Sequence, residues 1–168
     1  IGGIMFGYLS DRFGRRQVMT WTILLYSIGT GLTGLATGFW SVLGFRLLTG
    51  LGVGGEWAVG HALLAESAPP HMRGRASALL QAGEPMGVGL AAIMGFMVAP
   101  VIGWRAVFFV SAASGLLAFV VRKHLPESLL WESQREERLS PLQALTQIVR
   151  YRLVGVTLKG FVLAVLKL

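Results

Sequence analysis

Three charged residues lie inside stretches of sequence that are otherwise apolar: Arg46, Glu56 and Glu84. A charge at the centre of a membrane-spanning helix costs about 2.5–3.5 kcal/mol on insertion scales, so such a side chain usually faces a partner or a water-filled cavity. A carboxylate in that setting can bind and release a proton, while an arginine stays protonated and can hold a carboxylate through two hydrogen bonds. The pattern indicates solute binding or proton coupling. An ion pair or hydrogen bond between helices is the structural alternative for each residue.

The composition favours a membrane protein over a soluble domain. The 168 residues are 54% hydrophobic and 14% charged, whereas a soluble domain has about 25% charged residues. The apolar residues form blocks of about 20, which is the length of a helix that spans a bilayer. The net charge of +7 comes from basic residues clustered between these blocks. Because they form no continuous basic face, nucleic acid is not predicted as a partner.

The apolar blocks predict an all-α fold, a polytopic bundle of transmembrane helices. Residues 1–121 form this bundle, with helices at about 1–9, 17–36, 41–64, 76–98 and 106–121. Glycines are dense in the third and fourth of these helices, which favours close packing because small residues let backbones approach each other in lipid.

The rest of the chain divides into a polar and an apolar segment. Residues 122–152 predict a central cytoplasmic loop with an amphipathic helix near 141–150, and residues 153–168 predict the start of the next transmembrane helix. The block at 1–9 is too short to span a bilayer. We therefore expect the chain to be a fragment of a longer membrane protein.

The distribution of basic residues predicts the orientation of the bundle. Nearly all Lys and Arg fall in alternate connections, at residues 10–16, 65–75 and 122–152, whereas the other two connections contain only Arg105. Lys and Arg accumulate in cytoplasmic loops. These three connections are therefore predicted to be cytoplasmic, in a multi-pass protein of the cell membrane (plasma or bacterial inner membrane).

Four short motifs point to one family. Residues 7–16 read G-Y-L-S-D-R-F-G-R-R, which resembles the signature loop of the major facilitator superfamily, G-x-L-x-D-R-x-G-R-R, between its second and third helices. Residues 46–55, R-L-L-T-G-L-G-V-G-G, look like the fourth-helix motif R-x-x-x-G-x-G-x-G of its sugar porters and related proton symporters. Residues 66–75 and the P-E-S at 126–128 are similar to the family's loop after helix four and its motif after helix six.

The resemblance implies part of the N-terminal six-helix half of a twelve-helix transporter that works by alternating access. It implies that Arg46 takes part in proton coupling with an acid on the first helix, which this chain does not include. Gln81 falls where sugar porters contact the sugar. Glu56 and Glu84 depart from the sugar-porter pattern and look more like the branch that moves carboxylates with protons.

The resemblance also implies a gate at the cytoplasmic end of the bundle. Charged groups there would hold the outward-facing state closed, and exposed ion pairs of up to about 1 kcal/mol suit a latch that must open. The alternative is solvated loop charge that serves only orientation. The predicted gate residues are Asp11, Arg12, Gly14, Arg15, Arg16, Glu66, Arg73, Arg75 and Glu127.

We therefore predict a transporter and no enzyme activity: proton-coupled symport of a small organic anion, with Arg46, Gln81, Glu84 and Glu56 lining the binding site. The predicted partners are the solute, protons, the lipid bilayer and the C-terminal half of the same transporter. No cofactor or metal site is predicted, because cysteine is absent and the three histidines have no ligand spacing. The alternatives are a sugar–proton symporter, a drug–proton antiporter and a non-transporting membrane sensor or scaffold.

Overall fold

The computed structural model describes residues 1–133 together with Gly155 and Lys159. Residues 1–133 contain helices and no strand, which confirms the all-α prediction. The predicted amphipathic helix at 141–150, most of the predicted loop at 122–152 and most of the predicted helix at 153–168 lie outside the described residues. The helices are α1 (Gly2–Phe13), α2 (Arg15–Gly34), α3 (Phe39–Ser67), α4 (Arg73–Ile93), α5 (Ala99–Ile102), α6 (Trp104–Ala112), α7 (Leu117–His124) and α8 (Leu129–Ser133).

Glycines on α3 let α1 and α2 pack closely against it. A methyl group built on Gly52 would lie 2.7 Å from the backbone nitrogen of Tyr26 on α2, and one built on Gly55 would lie 2.5 Å from Cδ2 of Phe6 on α1. Both distances are shorter than the non-bonded contacts that a methyl carbon can make, so only glycine fits at these two positions. Phe6 continues into a small buried apolar cluster with Val18 and Val59. Close backbone approach at small residues is the expected way for helices to associate in lipid.

The glycines of α4 have a different environment. None of the α4 residues is buried, and methyl groups built on Gly83, Gly87 and Gly89 would contact nothing within 4 Å. The prediction of close packing at glycines therefore describes α3, whereas within the described residues α4 leaves its glycines open.

Single glycines separate two pairs of helices, so the connections predicted at 10–16 and 99–105 were too long. Helix α1 continues to Phe13 and α2 begins at Arg15, while α5 ends at Ile102 and α6 begins at Trp104. The two separating residues are Gly14, with φ 104°, and Gly103, with φ 84°. Glycine adopts positive φ without a steric penalty, so one residue is enough to interrupt the helix.

Two stretches of the described chain have the length and hydropathy of membrane spans: Arg73–Ile102 and Trp104–His124. The first includes α4, a π-helical turn at Met94–Val98 and α5, with Pro85 inside α4. The second includes α6, a 3₁₀ turn at Ala113–Leu116 and α7. These two stretches correspond to the apolar blocks predicted at about 76–98 and 106–121.

Candidate functional site

Two acidic residues of the sequence prediction line one cavity of about 240 Å³ between α2, α3 and α4. Glu56 belongs to α3 and Glu84 to α4, so the two carboxylates reach the cavity from different helices. The full lining consists of Met19, Glu56, Trp57, Gly60, His61, Leu80 and Glu84.

Neither carboxylate in the cavity has a hydrogen-bond or ion-pair partner among the described residues. The hydrogen bonds and the two ion pairs of the described chain include neither Glu56 nor Glu84. Glu56 is half-buried and Glu84 is exposed. The structure therefore does not support the alternative in which these acids are held in ion pairs between described helices. Glu84 lies inside the apolar stretch Arg73–Ile102, and an acid inside a membrane span is typical of a solute or ion pathway.

The structure places Arg46 and Gln81 outside this cavity lining. The guanidinium of Arg46 lies over the ring of Phe108 on α6, with Cζ 4.7 Å from the ring centroid. This geometry is a cation–π contact, in which the negative face of the ring attracts the cation. Gln81 is half-buried on α4. Of the four predicted binding residues, the cavity brings together Glu56 and Glu84.

Two aromatic residues of the cavity were not predicted from the sequence. Trp57 and His61 are four residues apart on α3, and their rings stack with centroids 4.9 Å apart and planes inclined by 16°. A signal was available, because residues at i and i+4 lie on the same face of a helix and both residues follow Glu56 closely. From the sequence, His61 is a candidate only for metal ligation. Within the described residues, no group of His, Cys, Asp or Glu side chains could hold a metal ion.

Arg15, the first residue of α2, is the centre of a cluster of polar side chains. Its Nη2 donates a hydrogen bond to Glu66 Oε1 at 2.9 Å, and its Nη1 donates to Ser10 Oγ at 3.0 Å. Nη1 also forms an ion pair with Asp11. The side chains of Arg15 and Glu66 are 12% and 15% exposed, so the ion pair between α2 and α3 is well shielded from solvent.

Glu127 joins this cluster from the segment after α7. Its Oε1 accepts hydrogen bonds from the backbone nitrogens of Arg15 at 2.8 Å and Arg16 at 3.1 Å. These N–H groups belong to the first turn of α2, where no intrahelical acceptor exists. A carboxylate at this position also interacts favourably with the positive end of the helix dipole. Glu127 therefore caps α2 from a distance of more than one hundred residues in sequence.

Two further contacts fix the same segment on the α1–α2 junction. The indole Nε1 of Trp131 donates a hydrogen bond to the backbone oxygen of Asp11 at 2.8 Å. A methyl group built on Gly14 would lie 2.6 Å from Glu127 Oε2. Gly14 is thus needed both for its positive φ and for the room it leaves to the carboxylate. We refer to Asp11, Gly14, Arg15, Glu66 and Glu127 as the Arg15 cluster.

The cluster shifts the ionisation of two of its members. Burial alone would raise the pKa of Glu66, but hydrogen bonds from Arg15 and Ser128 and the charge of Arg15 outweigh it, so the pKa lies below its usual value. Burial alone would lower the pKa of Arg15, and hydrogen bonds to Glu66 and Asp11 outweigh it, so that pKa is raised. Both shifts favour the charged forms.

The side chains of the remaining predicted gate residues make other contacts or are exposed. Arg16 Nη1 donates a hydrogen bond to the backbone oxygen of Leu125 at 3.3 Å, and Arg73 Nε donates to that of Ala68 at 3.2 Å. The guanidinium of Arg12 lies 5.7 Å from the ring centroid of Phe13. Arg75 is exposed. The structure thus places five of the nine predicted gate residues in the Arg15 cluster, and Arg16 contacts the cluster through its backbone nitrogen.

Comparisons with family models and with curated proteins both find membrane transporters. Residues 1–166 match the family model of the Major Facilitator Superfamily. The chain is 40% identical over 149 residues to a protein of Haemophilus influenzae that is named for metabolite transport, covering 89% of this chain and 36% of that protein.

Two relatives have names that include a solute. The chain is 40% identical over 131 residues to the sialic acid transporter NanX of Escherichia coli, covering 78% of this chain and 32% of the relative. It is 36% identical over 129 residues to the niacin transporter NiaP of Acinetobacter baylyi, covering 77% and 29%. The chain thus spans about a third of the length of these curated relatives.

Proposed function

The chain belongs to the major facilitator superfamily, and we propose that it forms part of the N-terminal half of a secondary transporter that carries a small organic anion together with protons. The transporter lies in the cell membrane with the Arg15 cluster on the cytoplasmic side. It works by alternating access, and its remaining helices complete the solute site between the two halves.

The observation that carries the proposal is the pair of carboxylates, Glu56 and Glu84, which line one cavity and have no hydrogen bond or ion pair among the described residues. Two negative charges in a site of low dielectric constant repel an anionic solute strongly. Binding of a proton to either carboxylate removes one negative charge and supplies a hydrogen-bond donor for the anion. Proton binding and anion binding therefore favour each other, which is the thermodynamic requirement for symport.

Similarity to the relatives supports a carboxylate as solute. The names of two relatives state that they transport sialic acid and niacin, and both compounds are carboxylic acids. A sugar without an acidic group is less well supported as the solute. Protonation of Glu56 or Glu84 lowers the negative charge of the cavity, which favours binding of an anion but not of a neutral molecule.

The Arg15 cluster has the second role in this proposal. It connects α1, α2, α3 and the segment after α7 at one end of the bundle. We assign to it the function of a cytoplasmic latch that stabilises one state of the transport cycle. Arg46 contributes to proton coupling with an acid from the rest of the transporter, and its contact with Phe108 fixes the position of the guanidinium.

The proposal is tested with the full-length protein in liposomes. Sialic acid, monocarboxylates, dicarboxylates and hexoses are added outside, and external pH and uptake of labelled solute are recorded together. We expect external alkalinisation with at least one acid, above the signal of empty liposomes, which corrects for diffusion of the protonated acid. Acid uptake without any proton movement would contradict proton symport, and binding without uptake would favour the sensor.

A drug–proton antiporter is the second candidate, and one observation favours it. Among the residues that line the cavity, the two carboxylates face no Lys or Arg, so a cationic solute could replace the protons on Glu56 and Glu84. The same assay separates the two functions by sign. Entry of a cation in exchange for internal protons acidifies the external solution, whereas symport of an anion makes it alkaline.

A further inference from the structure

The aromatic pair in the cavity has no role in the proton coupling described above. Trp57 and His61 both line the cavity beside the two carboxylates. We propose that their stacked rings form a binding platform for the flat ring of the solute, so that the transporter selects planar aromatic carboxylates over saturated ones of the same size. This inference rests on the proposed transport function and assigns a class of substrate to it.

Hydrogen bonding fixes the histidine ring of this platform. Nδ1 of His61 lies 2.9 Å from the backbone oxygen of Trp57. A carbonyl oxygen can only accept a hydrogen bond, so Nδ1 carries the hydrogen. Nε2 is then the ring nitrogen available to a solute, as an acceptor when the ring is neutral and as a donor when it is protonated.

The stacked geometry suits a third flat ring. The inclination of 16° and the centroid separation of 4.9 Å are those of an offset stack, one of the preferred arrangements of aromatic rings. Trp57 is 40% exposed, so part of its surface remains free for a ligand. Since the two rings already hold each other in place, a solute that stacks on them immobilises few additional rotamers, and this lowers the entropic cost of binding.

The charges around the platform agree with an acidic solute under proton coupling. The titratable groups that face His61 in the cavity are Glu56 on α3 and Glu84 on α4, while α2 contributes Met19 and α4 also contributes Leu80. When the acids are protonated, a flat ring can lie against Trp57 and His61 and its carboxylate can accept hydrogen bonds from the protonated side chains. A saturated ring has the same charge and a similar size but no π system for the stack.

Benzoate and cyclohexanecarboxylate are the matched probes for this idea, because they have the same charge and ring size and differ in the flatness and π character of the ring. Empty liposomes correct for the different membrane diffusion of the two protonated acids. In full-length protein in liposomes, we expect proton-driven uptake to prefer benzoate by about 3- to 10-fold, the ratio that one aromatic contact supplies. Trp57→Leu should bring the ratio close to one. Trp57→Phe should keep part of the preference, and so should His61→Phe, which retains a flat ring.

Trp40→Leu is the matched control. Trp40 lies in the first turn of α3 and is 79% exposed, so this variant should leave the preference for benzoate unchanged. A loss of preference in Trp40→Leu as large as that in Trp57→Leu would contradict the assignment to the platform. If Trp57→Leu lowered the uptake of both acids equally and left their ratio unchanged, Trp57 would have only a structural role. That result would overturn the platform.

A separate measurement distinguishes failure of the platform from failure of the proposed function. Calorimetric binding of the two probes to the purified full-length protein does not depend on proton movement. If the wild type binds benzoate more tightly than cyclohexanecarboxylate and Trp57→Leu binds both equally, the platform is supported. If, in addition, no acid drives proton uptake, the proposed symport is wrong while the platform stands. Equal binding of the two acids to the wild type would overturn the platform while leaving proton symport of some other acid intact.

Discussion

The Arg15 cluster and the cavity at Glu56 and Glu84 both contain glutamates, but within the described residues only those of the cluster have hydrogen-bond partners. In the cluster, Glu66 and Glu127 accept hydrogen bonds from Arg15, at 2.9 Å and 2.8 Å. In the cavity, neither carboxylate has a hydrogen bond or ion pair with any described residue. Acids that are paired stabilise a structure, whereas acids left open at membrane depth are available to a ligand.

The comparison therefore predicts that the two regions respond differently to substitution. Changes in the Arg15 cluster should lower the stability of the folded protein, because they leave partly buried partners unsatisfied. Changes at Glu84 should alter transport with little effect on stability, because no described contact is lost. The expected loss of stability is largest for Arg15→Ala and decreases through Gly14→Ala and Glu127→Ala.

Arg15→Ala should have the largest effect on stability. The change removes an ion pair to Asp11, the hydrogen bond to Ser10 and the contacts to Glu66, and it leaves the Glu66 carboxylate, 15% exposed, without its cation. Hydrogen bonds to charged groups contribute about 1.5–3 kcal/mol each, so we expect a loss of about 3 kcal/mol, measured as reduced thermal stability of the full-length protein in detergent. Arg75→Ala, at an exposed position, is the control. Equal stability of both variants would contradict the cluster's role.

Gly14→Ala should cause the second largest loss, of about 1–3 kcal/mol. A residue other than glycine is strained at φ 104° by roughly this amount, and the new methyl group would lie 2.6 Å from Glu127 Oε2. Gly87→Ala on α4 is the matched control, because its new methyl group would contact nothing within 4 Å. Thermal unfolding of the two variants under one condition measures the difference. A Gly14→Ala protein as stable as Gly87→Ala would show that the junction tolerates a side chain.

Glu127→Ala should cost about 1 kcal/mol, the usual effect of removing a helix cap. The change removes the acceptor for the N–H groups of Arg15 and Arg16 at the start of α2. Glu127→Gln keeps an acceptor oxygen and should therefore lose less. Chemical denaturation of the three proteins orders their free energies of unfolding. The assignment of Glu127 as a cap fails if the Gln variant is the less stable one.

The smallest effect should appear in the pH dependence of stability. The pKa of Glu66 is lowered in the folded state, so its contribution is fully present above the pKa of the unfolded chain, about 4.3. It is lost as the pH falls through the lower pKa of the folded protein. Glu66→Gln should flatten this part of the stability profile below pH 5 and leave the profile near pH 7 parallel to that of the wild type. If the stability of Glu66→Gln fell below pH 5 as steeply as that of the wild type, the contribution assigned to Glu66 would be wrong.

The proximity of the charged residues in the Arg15 cluster could be predicted from the sequence. Its charged members fall in short connections on the same predicted side of the membrane, so Asp11, Arg15, Glu66 and Glu127 could be expected near one another. The length of the connection was harder to predict. Apolar blocks indicate where a helix crosses the lipid, but α1 continues past the block to Phe13 until the positive φ of Gly14 interrupts it.

The cavity was predictable only in part. Glu56 and Glu84 are conspicuous as acids in apolar sequence, whereas Trp57 and His61 resemble ordinary residues of an amphipathic helix. Whether an aromatic side chain faces a cavity or lipid depends on where α4 and α2 lie relative to α3, which the periodicity of a single helix does not contain. For the same reason the contact between Arg46 and Phe108 could not be read from the sequence.

The central claim is that a carboxylate of the cavity binds the proton that accompanies the solute, and we propose Glu84 for this role because it lies inside the apolar stretch Arg73–Ile102. The most direct measurement compares wild-type and Glu84→Gln full-length protein in liposomes by two assays with one organic acid: accumulation driven by an inward proton gradient, and exchange of labelled for unlabelled solute at equal pH. We predict that Glu84→Gln abolishes proton-driven accumulation and retains exchange, because glutamine can still donate a hydrogen bond to the anion but cannot load and release a proton. Proton-driven accumulation at the wild-type level in Glu84→Gln would contradict the account.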